Sequence, residues 1–102
     1  MIAVSRFRVS EDEAAGFAVF AEPAAAFFRA RPGCQRADLV QNLDDPTLWA
    51  LVSHWDDVGS YRRGFNGYEA KMVLTPVLSL AVDEPSAYAP AEEVGTNQPR
   101  ET

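Results

Sequence analysis

Leu48 to Lys71 reads LWALVSHWDDVGSYRRGFNGYEAK. Its first eight residues alternate as a strand that is apolar on both faces: Trp49, Leu51, Ser53 and Trp55 point one way, Leu48, Ala50, Val52 and His54 the other. A strand with two apolar faces needs cover on both. Asp56-Asp57 ends it, and Asp57 is a good N-cap for a helix whose inner face holds Val58, Tyr61 and Phe65. Gly64 and Asn66-Gly67 break that helix, after which Tyr68, Met72 and Val73 read as a continued buried stripe.

Upstream, Ile2 to Val9 reads as a strand, with Ile2 and Val4 on one face and Ala3, Phe7 and Val9 on the other. Ser10 and Glu13 have the spacing of a capping box. The helix they open should run from about Glu11 to Arg31, its apolar stripe made by Phe17, Phe20, Ala21, Ala24, Phe27 and Phe28. Pro23 inside it predicts a bend or restart near 19–22, and Pro32-Gly33 ends it. Gln35 to Leu43 is a second strand, with Ala37, Leu39 and Leu43 on one face. Asp44-Asp45-Pro46-Thr47 is short enough to make strands two and three an antiparallel hairpin.

Downstream, Thr75-Pro76 looks like a new N-cap and first helical position, opening a short helix through Leu80 and Ala81. Ser86 to Ala89 can form a last strand around Tyr88. Residues 91–102 read as a polar, flexible tail behind one domain over 1–90. The order is βαββαβ, an α+β, ferredoxin-like pattern: an antiparallel sheet with helices on one face. The other face would then be bare and apolar, which predicts a homodimer through the sheet.

The 102 residues suffice for one modest core. A net charge of −6 argues against nucleic acid or an anionic membrane, both of which need clustered cations. No apolar run approaches the roughly 18–20 residues of a membrane span. Cys34 is the one cysteine, so no internal disulfide forms, and the chain reads as cytoplasmic.

Several features together carry a family resemblance: the Arg31-Pro32-Gly33-Cys34 turn, the Asp-Asp-Pro hairpin, the strand ending in Trp55, and the segments Val58 to Arg63, Pro76 to Ser79 and Asp83 to Tyr88. Over about residues 2–89 the chain resembles the antibiotic biosynthesis monooxygenase superfamily, an actinobacterial branch of it in particular. The resemblance implies a dimeric α+β barrel. It also implies a cofactor-independent monooxygenase acting with molecular oxygen on an aromatic, quinol-like small molecule. Trp55 matches the family's pocket tryptophan. The family's pocket asparagine falls near Ser5 and is lost. Haem-degrading relatives carry a ligating histidine on the second helix, and residues 58–73 contain none.

The candidate pocket residues are therefore Trp55, Tyr61, Phe65, Tyr68, Met72 and Ser5. Trp55 is either a stacking surface or a core tryptophan, and the tyrosines are either hydrogen-bond donors to a quinone or half-buried packing. His54 is the single histidine and lies on the face opposite Trp55, with no partners at ligand spacing, so neither a metal nor a cofactor is expected. No nucleophile set is readable, and no catalytic residue is assigned. The alternatives to an oxygenase are a non-catalytic dimer of the same fold that binds a small apolar ligand or a protein partner, and a purely structural barrel dimer with a filled interior.

Overall fold

Strand β3 (Leu48–Trp55) is the second of four strands in the order β2-β3-β1-β4, flanked by β1 (Ile2–Arg8) and β2 (Cys34–Gln41). Both neighbours run antiparallel to it. Ser53 is the Cα partner of Ala3 on one side and Ala37 on the other. β4 (Ala87–Tyr88) adds two residues to the far edge of β1. This computed structural model describes residues 1–96. It is α+β, with an antiparallel sheet of four strands and helices packed on one face, as the βαββαβ pattern requires.

Alternation along β3 sorts its side chains as expected. Leu51, Ser53 and Trp55 are buried under helices, whereas Leu48, Ala50, Val52 and His54 are only half-buried on the other side. Ala3 and Phe7 of β1 and Ala37 of β2 join the buried set. α1 (Ala14–Arg29) covers them. Its Ala21, Ala24 and Ala25 are fully buried, because small side chains let the helix lie close against the sheet and against α3.

Several local expectations are corrected. Ser10 makes no side-chain cap. Its carbonyl accepts from Glu13 N–H (3.0 Å), and Glu11–Glu13 is a 3-10 turn leading into α1. α1 runs without a break through Pro23. Residue Val19, whose carbonyl Pro23 cannot meet, is exposed, so water can satisfy it. Phe20 leaves the buried stripe, and Leu43 lies beyond the end of β2 with 99% of its surface exposed. After α2 (Val58–Arg63), α3 (Tyr68–Leu78) is one helix with Pro76 inside it, not two. Its buried residues are Ala70, Leu74 and Val77. Tyr68 (78% exposed) and Met72 (57% exposed) face solvent instead of continuing a buried stripe.

The α1–β2 connection explains two small residues. Gly33 has φ +88°, and a Cβ there would sit 2.4 Å from the Ser60 side chain. Its carbonyl accepts from Asp56 N–H (2.8 Å), which ties this turn to the end of β3. Asp57 then caps α2, its Oδ1 accepting from Ser60 N–H at 2.7 Å. At the chain's other end, Ala91–Thr96 forms a short helix, α4, where the sequence suggested only tail. The rest of that tail, 97–102, lies outside the described residues.

Candidate functional site

Four aromatic rings, from α1, β3, α2 and the turn after α2, close on one another above the end of β3. Phe28 of α1 meets Trp55 edge-on (5.4 Å between centroids), Trp55 meets Tyr61 of α2 (5.7 Å), Tyr61 meets Phe65 (5.0 Å), and Phe65 returns to Phe28 (5.6 Å). All four pairs are T-shaped, the arrangement that ring quadrupoles favour. Gly64 makes this possible: a Cβ there would come within 2.8 Å of the Trp55 ring and 3.0 Å of the Tyr61 carbonyl.

Trp55 lies at the back of this cluster, only 1% exposed, with its Nε1–H donating to buried Ser53 Oγ at 2.8 Å. Tyr61 and Phe65 are half-buried, and their outer sides form the wall of a cleft of about 450 Å³. The opposite wall is the outer edge of β1 at Val4 and Ser5. Leu78 and the segment 79–86 close the third side. Three of the six candidate residues, Ser5, Tyr61 and Phe65, thus meet at one cavity. Trp55 buttresses it from behind, and Tyr68 and Met72 do not line it.

The segment 79–86 overlaps two of the stretches that carry the family resemblance but holds none of the candidate pocket residues, and it shapes the cleft. It leaves α3 through turns, with Ala81 N–H donating to the Leu78 carbonyl, and then runs beside β1. Val82 N–H donates to the Arg6 carbonyl (2.8 Å), and Val4 N–H donates to the Ser86 carbonyl (2.7 Å). Between these bonds Arg6 clamps Glu84 with two parallel hydrogen bonds of 2.6 Å each. This bidentate pair holds the Glu84 carboxyl below its usual range. In the sequence the Asp83-Glu84-Pro85-Ser86 run carries a turn signal and part of the family resemblance, and neither places Arg6 against Glu84. Its pairing with a residue 78 positions earlier is a tertiary fact.

Tyr61 is the polar group best placed to act on a ligand. Burial pushes its phenol above the ordinary value, and a hydrogen bond with the Ser86 side chain opposes that shift. A phenol in this setting keeps its proton at neutral pH and is a donor to a developing oxyanion. Ser5 and Ser79 add hydroxyls at the rim.

His54 lies on the far side of the sheet, between Ile2 of β1 and Arg36 of β2, and does not reach this cleft. It borders a separate cleft of about 580 Å³ with Gln35, Asp56 and Asp57. Trp55 and Tyr88 also line that second cleft. Among the described residues no group of three His, Cys, Asp or Glu side chains is placed to hold a metal ion. None of the described helices is long and apolar enough to cross a membrane.

No curated protein matches the chain. Solved structures do. A candidate antibiotic biosynthesis monooxygenase from Deinococcus radiodurans superposes with a TM-score of 0.70 at 19% identity, covering 87% of this chain and 90% of that one. SnoaB from Streptomyces nogalater, a cofactor-independent oxygenase, gives 0.69 at 26% identity over 87% and 91%. A conserved protein from Methanosarcina mazei gives 0.66 at 20% identity over 84% of each chain. A family model described as antibiotic biosynthesis monooxygenase matches residues 1–67, from β1 through the Tyr61–Phe65 wall of the cleft, and so the chain belongs to the antibiotic biosynthesis monooxygenase family.

Proposed function

We propose that this protein is a cofactor-independent monooxygenase of an aromatic, quinol-like small molecule, bound in the cleft between β1, α2 and the segment 79–86, and that it works as a homodimer. The observation that carries this reading is the cleft itself. It is large enough for a fused-ring ligand, walled by Tyr61 and Phe65, and supplied with one half-buried phenol that holds its proton. The likeness to SnoaB, at 26% identity, supports the reaction class.

The chemistry asks little of the protein. An electron-rich ring system bearing a CH2 group loses a proton to give a resonance-stabilised anion, which reduces molecular oxygen. The CH2 becomes C=O, one oxygen atom enters the product and the other leaves as water. The substrate supplies the electrons. Tyr61 donates a hydrogen bond to the substrate oxygen on which the anion's charge gathers. Phe65 and Leu78 exclude water from the ring, and Trp55 fixes the Tyr61 ring from behind.

Oxygen uptake with 1,8-dihydroxyanthrone tests this. The wild type should consume one O2 per substrate, and Tyr61→Phe should lower kcat by about 100-fold, the typical cost of removing one oxyanion donor, with an unchanged unfolding midpoint. Tight binding of the anthrone without enzyme-dependent oxygen uptake would make the protein a binder and not an oxygenase.

A further inference from the structure

The cleft has a charge inventory that the function above does not require. Among the described residues its ionic lining consists of two carboxylates, Asp83 and Glu84, and no cation. Arg6, a cation beside it, is committed to Glu84 through both arms of its guanidinium, at 2.6 Å each. Asp83 makes no ion pair with any of the described residues and is exposed at the rim. The remaining polar lining is hydroxyl: Ser5, Tyr61, Ser79 and Ser86. The chain as a whole carries −6, so its long-range field does not compensate.

We propose that the cleft selects its substrate by charge, taking neutral, hydroxyl-bearing aromatic rings and rejecting the same rings when they carry a carboxylate. This rests on the cleft being the substrate site. The physical reason is asymmetric. Phenolic and quinone oxygens find hydroxyl partners that both donate and accept. A ligand carboxylate finds no free cation and must approach Asp83, and a like charge without compensation lowers affinity and discriminates between partners. Because Asp83 is exposed, the effect is moderate and screened by salt.

The test is a matched ligand pair, 1,8-dihydroxyanthraquinone and the same ring with a 3-carboxylate, titrated at pH 6.5 against the full-length protein with tryptophan fluorescence as readout. At low salt the neutral ring should bind at least tenfold more tightly. The ratio should shrink as salt rises, and Asp83→Lys should invert it. Equal affinities in the wild type, or a ratio that Asp83→Lys leaves where it was, would overturn charge selection while leaving the cleft as the site. If neither ring binds, the assignment of the cleft falls, and charge selection falls with it.

Discussion

Trp55 closes the back of the aromatic cluster, edge-on to both Phe28 and Tyr61. Alternation puts it on the helix-facing side of β3, and the structure agrees. What alternation cannot give is depth. The ring is sealed by Phe28, Tyr61 and the bare Cα of Gly64, so it offers no open face to a ligand. Its role is to set the Tyr61 ring. Gly64→Ala should therefore act on both stability and site. The added methyl overpacks the Trp55 contact, and we expect a loss of about 1–3 kcal/mol in urea unfolding together with weaker ligand binding. Ser53→Ala should cost a similar ~1–3 kcal/mol, because it strands the indole N–H in the core. A Gly64→Ala protein of wild-type stability would show that the aromatic cluster is slack.

At the scale of elements, patterning gave the order of strands and helices and missed where helices continue. Thr75-Pro76 has the composition of a helix start, but Pro76 lies inside α3. The carbonyl it orphans belongs to Met72, on the exposed side, while Leu74 and Val77 stay buried on the other. Burial of one face outweighs one lost bond on the opposite face, and a local signal cannot report that balance. Exposure of Tyr68 and Met72 follows from the same helix being unbroken, since its phase is then set by Ala70, Leu74 and Val77.

The β2–β3 hairpin, by contrast, is readable because its determinants are local, with Arg8 the one exception among the partners of Asp45. Asp45 accepts from Thr47 Oγ1 (2.7 Å), from Arg8 (2.6 Å) and from Thr47 N–H (3.0 Å). Led by the Thr47 hydroxyl, these bonds lower its carboxyl from the ordinary 3.8 to about 2. A group with a depressed folded-state pKa stabilises the fold above its unfolded value, and that contribution is lost as pH falls through the folded one. The turn's share of stability should thus be intact above about pH 4 and vanish toward pH 2. Urea midpoints of wild type and Asp45→Asn should converge across that window. A constant gap down to pH 2 would show that the carboxylate charge contributes nothing.

For the whole molecule the decisive fact is a sheet face that the described residues leave without cover. Helices pack on one side of the sheet only. The other side presents Ile2 and Val4 of β1, Leu48, Ala50 and Val52 of β3, Val40 of β2 and Tyr88 of β4, none of them buried within one chain. A contiguous apolar surface of this kind exceeds what a monomer usually leaves in water. A second copy presenting the same face would cover it symmetrically, with Arg6, Arg36 and Asp38 at polar positions around the apolar rows. The two faces of β3 separate folding from assembly within one strand. Val52→Asp places a charge at the centre of the open face and should give a folded protein that sediments as a monomer where wild type is a dimer at micromolar concentration. Leu51→Asp buries the same charge one residue away, under α1, and should unfold the chain. Wild type sedimenting as a monomer, or Val52→Asp remaining dimeric, would show that the sheet is not the surface through which two copies meet.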